Sequence, residues 1–290
     1  MTKEVVISVR DVRYKYPTSR DWVLRGISLD VYRGEFLGIV GTTGAGKTTL
    51  CQCFNGLIPH YARGTFEGTV LVEERDTRDA DVADLSTLVG LVFQDADAQL
   101  VMSSVLEEVM LGLTMRGMPT KEAKARAQET LESLGISHLA SRPPYALSGG
   151  QKQRAAIAAV MAMQPDILVL DEATSELDSL TVHRIFDICR RLNEQGATIV
   201  LVSHEVELLC QFADRLALVD DGQVLLEGPP RELFQQAETF RRIGMRLPQV
   251  ADFALSLADR LPFESLPLNV EEAKQIISKS VGESPIHPTK

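Results

Sequence analysis

Gly41-Thr42-Thr43-Gly44-Ala45-Gly46-Lys47-Thr48-Thr49 is the stretch on which the reading of this chain turns. It fits G-x-x-x-x-G-K-[ST], the phosphate-binding loop, which needs a strand before it and a helix after it. Phe36-Leu37-Gly38-Ile39-Val40 is strand-like and Lys47 to Leu57 reads as helical, so both flanks are present. Glycines let successive backbone N–H groups converge on an anion, and the helix N-terminus adds partial positive charge. In this reading Lys47 reaches the β- and γ-phosphates of a nucleoside triphosphate. The Thr48 hydroxyl sits on Mg²⁺, and Thr49 adds a contact nearer the α-phosphate.

Composition narrows the setting. The chain has 290 residues, 44% of them hydrophobic and 24% charged, with a net charge of −10. That length suits one main domain with an appendage. The acidic balance argues against a basic nucleic-acid face, so no nucleic acid is expected among the partners. Cys51, Cys53, Cys189 and Cys210 show no zinc spacing and read as reduced thiols. Met1 to Val5 carries no signal-peptide pattern. The longest apolar run, Ala155 to Met163, is far short of the ~18 residues of a membrane span. Membrane work is therefore expected to run through partners.

The rest of the chain alternates strand and helix patterns. Val5 to Val12 and Ile27 to Val31 read as strands of an antiparallel layer ahead of the loop, with Tyr16 at its end. Tyr16 either stacks on adenine or covers the core as a strand-end aromatic. Gly56 to Gly64 is expected as a loop with His60 exposed, Gly68 to Val72 as a strand, and Arg75 to Asp84 as a charged loop. Leu88 to Phe93 is a buried-type strand ending in Gln94. Ser104 to Leu113, Pro119 to Gly135 and Lys152 to Met163 read as helices, placing a helical subdomain at about 95–163. Ile167 to Leu170 and Ala197 to Val202 are continuous apolar strands, as parallel sheets require. Arg215 to Val219 and Gln223 to Glu227 read as a hairpin across Asp221-Gly222. Past Gly228-Pro229-Pro230 four short helical runs are expected, the third spanning Gln249 to Arg260 and the fourth Val270 to Ser278, with a frayed tail from Val281. The expected division is 1–228 and 229–290.

In open α/β sheets ligands sit beyond the carboxyl ends of the strands. Four such ends carry polar groups: the Gly41–Thr49 loop, Gln94, Asp171-Glu172 and His204. Asp171 would hold Mg²⁺ directly or through water, and Glu172 would act as general base or position the water. His204 would steady the γ-phosphate.

With these residues in place, the chain resembles the ATP-binding subunits of ABC transporters over residues ~5 to 228. Leu147-Ser148-Gly149-Gly150-Gln151 matches that family's signature, Gln94 its Q-loop, Ser175-Glu176-Leu177-Asp178 its D-loop, His204 its switch histidine and Tyr16 its adenine-stacking aromatic. The resemblance implies a P-loop NTPase of the ABC ATPase fold: α/β, with an antiparallel β-subdomain, a helical subdomain and here a small C-terminal helical extension. It implies ATP and Mg²⁺ as cofactors, with Gln94 added to the metal and catalytic groups. It implies that Ser148, Gly149, Gly150 and Gln151 of one protomer, with Asp178, complete the ATP site of a second ATPase subunit. That subunit is an identical copy or a paralogue.

A narrower resemblance, to the energy-coupling factor (ECF) importers, lies in Asn55 to His60, in Val92 to Asp95 with Asp97 and Gln99, and in Gly244 to Val250. It implies a transmembrane coupling protein, a substrate-binding membrane protein that captures vitamins or metal ions, and a peripheral place on the cytoplasmic face of the membrane. Another ABC importer class, a soluble ABC ATPase and a non-catalytic nucleotide-binding module are the rival readings. Two departures stand out. Glu176 replaces a small D-loop residue and is expected to alter contacts across the dimer. Ala96 replaces a proline and is expected to loosen the Q-loop turn.

Overall fold

The computed structural model describes residues 3–257 and 265–281. Its strands are β1 (Val5–Lys15), β2 (Leu24–Tyr32), β3 (Phe36–Gly41), β4 (Thr65–Val72), β5 (Arg75–Asp76), β6 (Val89–Val92), β7 (Ile167–Asp171), β8 (Thr198–Val202), β9 (Arg215–Asp220) and β10 (Gln223–Gly228). One sheet has the order β2-β1-β4-β5 and is antiparallel. The other has the order β10-β9-β3-β8-β7-β6, parallel except for the edge strand β10.

The apolar runs become the central strands because both faces of the parallel sheet are covered. Side chains alternate along each strand, so each strand feeds two cores. Phe36, Leu168, Leu170, Ile199 and Leu201 enter one core with the helices Val105–Met115, Thr120–Ser133, Gly149–Ala162 and Ser179–Glu194. Leu37, Ile39, Val169, Val200 and Val202 enter the other, together with Val9, Val12 and Val70 of the antiparallel sheet. The helix Lys47–Phe54 is held in this second core by Leu50 and Phe54, both fully buried. Burial of such side chains contributes about 1.5–3 kcal/mol each, so the helix behind the phosphate loop is fixed between two sheets.

Several boundaries differ from the sequence reading. The helix after the loop ends at Phe54, and the expected loop beyond it contains a short helical turn, Leu57–His60. The charge-rich stretch expected as a loop holds β5 and the helix Val82–Leu88, whose first turn is capped by the Asp81 side chain accepting from the Ala83 N–H at 2.9 Å. The helix after the signature begins at Gly149 rather than Lys152. A further helix, Val206–Phe212, was not expected. Its buried Leu208 and Leu209 face the core.

Past β10 the chain forms the helices Pro230–Leu233, Ala237–Arg242, Gln249–Ser256 and Val270–Val281. The run expected from Gln249 stops at Ser256, and Leu257 N–H returns to the Ala254 carbonyl. Residues 258–260 of that run, and the tail beyond Val281, lie outside the described residues. Phe234, Phe240, Leu247, Ala251 and Leu266 join the same core as the helices over the parallel sheet. Among the described residues no helix is long and apolar enough to cross a membrane. All four cysteines are buried and unpaired to one another, and burial pushes the Cys189 and Cys210 thiols up to about 12.

Candidate nucleotide site

The strand order puts the four polar strand ends side by side. The phosphate loop follows β3, His204 follows its neighbour β8, Asp171 and Glu172 close the next strand β7, and Gln94 follows β6 beyond it. Residues from distant parts of the chain thus share one rim.

Lys47 is at the centre, only 4% exposed. Its Nζ donates to the carbonyls of Gly41 at 3.1 Å and Thr42 at 2.9 Å, and lies 3.1 Å from Glu172 Oε1. Glu172 collects the rest of the rim. Its Oε2 accepts from Gln94 Nε2 at 2.9 Å, and its Oε1 lies 3.3 Å from Nε2 of the exposed His204. The Glu172 backbone is left-handed at φ 48, where its N–H donates to the Val202 carbonyl at 3.1 Å. A non-glycine residue in that region costs roughly 1–3 kcal/mol and persists only where its surroundings impose it. Here the β7–β8 ladder and the Lys47 pair do so.

Thr48 Oγ1 donates to Asp171 Oδ1 at 3.2 Å. Burial pushes the Asp171 carboxyl up to about 6; the Thr48 hydrogen bond opposes this, Glu172 reinforces it and Lys47 counters it. A hydroxyl beside a buried carboxylate is a hard-oxygen pair of the kind Mg²⁺ takes, and a cation would relieve the burial of the ionised Asp171. The donor set therefore fits the ion.

The loop itself is tied down from outside. Thr42 Oγ1 donates to Asp220 Oδ1 at 2.5 Å, and the Gly222 N–H donates to the Ala45 carbonyl at 3.1 Å. The β9–β10 turn thus braces the loop, a role for Asp220 that the sequence reading missed. Gly41 is packed so closely that a methyl group there would overlap the Val219 carbonyl. Gly44 and Gly46 take φ 81 and 95, with Thr43 and Gly44 exposed at the tip. Tyr16 is half-buried: its hydroxyl is 3.2 Å from Thr49 Oγ1 and its ring meets Tyr14 edge-on at 4.8 Å. A cleft of about 800 Å³ opens beside Thr48, Gln94, Asp171 and Glu176.

The signature residues make no hydrogen bond to Lys47, Gln94, Asp171, Glu172 or His204 among the described residues. Among the described residues their hydrogen bonds are local: Gln151 Oε1 accepts from the Ser148 N–H at 3.1 Å and caps the helix. Asp178 caps the helix Ser179–Glu194, accepting from the Thr181 N–H at 3.0 Å and hydroxyl at 2.7 Å. The Thr181 contacts hold its carboxyl below the ordinary range. At Ala96, where the absent proline was expected to loosen the turn, the Q-loop is helical. Asp95 caps a 3₁₀ turn over Ala96–Ala98, accepting from the Asp97 N–H at 2.9 Å. Two links join this loop to the signature helix: Lys152 Nζ meets Asp97 at 2.6 and 2.8 Å, and Gln153 Nε2 donates to the Phe93 carbonyl at 3.0 Å. His60 is exposed as expected, and its Nε2 lies 2.8 Å from the Thr77 carbonyl.

A phosphate loop between two sheets, with acid, amide and imidazole on neighbouring strand ends, defines an ATP-hydrolysing cassette. Residues 24–175 match the family described as ABC transporter, and the chain belongs to it. It is 43% identical over 277 residues to a putative ABC transporter ATP-binding protein of Pyrococcus abyssi, covering 95% of this chain and 99% of that one. It is 37% identical over 263 residues to the energy-coupling factor transporter ATP-binding protein EcfA of Methanocaldococcus jannaschii, covering 89% and 92%. The fold matches the dimeric, post-hydrolysis ATP-binding cassette MJ0796 bound to ADP and Pi, with TM-score 0.70 and 31% identity over 77% of this chain and 98% of that one. The chain is thus an ABC transporter ATPase that binds ATP.

Proposed function

We propose that this chain is the ATP-hydrolysing subunit of an importer of the energy-coupling factor type, taking up a vitamin or a metal ion. The observation that carries the catalytic reading is Glu172, which meets Lys47, Gln94 and His204 at once. Lys47 binds the β- and γ-phosphates, and the N–H groups of Gly41 to Thr49 surround them. Thr48, Asp171 and Gln94 would hold Mg²⁺, which would supply charge neutralisation at the phosphate oxygens. Glu172 takes the proton of the attacking water or positions it, and His204 steadies the γ-phosphate. Tyr16 lies beside Thr49, in reach of the adenosine end.

A second protomer would complete this site by supplying Ser148, Gly149, Gly150, Gln151 and Asp178. Two ATP molecules held between two subunits close the pair, and cleavage removes charge contacts that both halves share. The likeness to EcfA supports the ECF assignment, with a transmembrane coupling protein and a substrate-binding membrane protein as partners and a peripheral place on the cytoplasmic face. Co-purification from membranes tests it. Recovery of a small coupling protein together with a substrate-binding membrane protein is the expected result. Recovery of a periplasmic-type importer, ribosomes or DNA instead would overturn it.

A further inference from the structure

The loop from Glu172 to Asp178 is wound into two tight turns: the Ser175 N–H donates to the Glu172 carbonyl and the Leu177 N–H to the Thr174 carbonyl, each at 3.2 Å. This winding carries Glu176, the side chain that departs from the D-loop pattern, onto the first turn of the helix Gly149–Ala162. A methyl group on Gly149 would lie 2.5 Å from Glu176 Oε2, and one on Gly150 would lie 3.2 Å from the Glu176 carbonyl oxygen. A carboxylate of the chain itself therefore rests against the end of the helix that favours negative charge. Glu176 is exposed, so its side chain can leave that position without giving up buried contacts.

We propose that the Glu176 carboxylate competes with the terminal phosphate of the partner's ATP for the N-terminus of the helix Gly149–Ala162. The proposal rests on the reading above, in which Ser148 to Gly150 complete the site of a second protomer. A phosphate entering there meets a like charge a few ångströms away, so closure waits until Glu176 turns aside. A small, uncharged D-loop residue would leave the helix end open. Glu176 thus raises the ATP concentration at which two protomers join.

The test uses the full chain carrying Glu172→Gln, which is expected to hold ATP with turnover slowed by about 10²- to 10⁴-fold. Sedimentation velocity reads Mg·ATP-driven self-association of this parent and of the double variants adding Glu176→Gln or Glu176→Ala. Fluorescent-nucleotide binding checks that each variant is folded. Half-association is expected at about 2- to 5-fold lower ATP in both double variants, from the usual strength of an exposed charge at a helix end. The gap should narrow at high salt. An unchanged or higher midpoint in both overturns the competition. Adding Ser148→Phe to the parent separates the two ideas. If that variant blocks association while Glu176 changes do nothing, the competition alone fails. If it associates like the parent, or the parent never associates with ATP, the shared-site reading fails and takes the competition with it.

Discussion

Lys47 Nζ stands 3.1 Å from Glu172 Oε1, so the cation of the phosphate loop and the carboxylate that closes β7 form an ion pair in the floor of the site. Both side chains are largely shielded, Lys47 at 4% and Glu172 at 12% exposure. A terminal phosphate drawn to Lys47 would compete with Glu172 for the same ammonium group. The displaced carboxylate still has Gln94 and His204 beside it, where an attacking water would be held.

Glu172→Gln should therefore keep or slightly tighten ATP binding while lowering turnover by about 10²- to 10⁴-fold, the usual contribution of a positioned base. Phosphate release and equilibrium nucleotide binding measured on the same sample check both halves. Turnover at the wild-type rate would remove Glu172 from the role of base.

Asp220→Ala should weaken ATP binding about 3- to 10-fold, because the Thr42 hydroxyl loses a charged acceptor worth roughly 1.5–3 kcal/mol, part of which water replaces. Asp220→Asn retains an acceptor oxygen and should restore most of the loss. The comparison of the two by isothermal titration distinguishes bracing of the loop from a general effect of charge.

Gly41→Ala should destabilise the whole domain by about 1–3 kcal/mol or more, since the added methyl group meets the backbone carbonyl of Val219 rather than a side chain that can rotate. Denaturant unfolding reads the loss. At the exposed tip, Gly44→Ala has free space around the methyl group but a left-handed φ of 81, so its smaller cost comes from the backbone alone.

Asp171 gives a pH signature. Burial raises its carboxyl from an ordinary 3.8 to about 6, so between these values the folded chain holds a proton that the unfolded chain has lost. Its contribution to stability is greatest below about 4 and falls as pH rises through about 6, by about 3 kcal/mol in all. In chelator without nucleotide, Asp171→Asn should gain stability relative to the parent across that interval and run parallel to it above. Parallel curves throughout would mean that Asp171 is not perturbed.

The sequence made the site more legible than the scaffolding around it. Gln94, Asp171, Glu172 and His204 each end an apolar strand, and parallel order brings strand ends together, so their meeting followed from pattern alone. The helix Val82–Leu88 was hidden because Leu85 is its one buried residue and charges surround it; the Asp81 cap was the available signal. The start of the signature helix was placed late because two glycines are poor helix formers, while Gln151 reaching back to Ser148 allows the helix to begin there. Asp220 was missed because it acts from the far side of the chain, 178 residues from Thr42, which no local pattern reports. The C-terminal helices read as an appendage, yet Phe234 and Phe240 are fully buried in the main core, a property of where the chain returns and not of its local composition.

Gln153 and Lys152 grip Phe93 and Asp97, the residues on either side of the Gln94 turn, from the same helix whose tip is Ser148. A displacement of the Gln94 turn would therefore bear on Lys152 and Gln153, where the first turn of that helix passes into the second. Because Ser148 ends that same helix, any shift of this turn would bear on the signature tip as well.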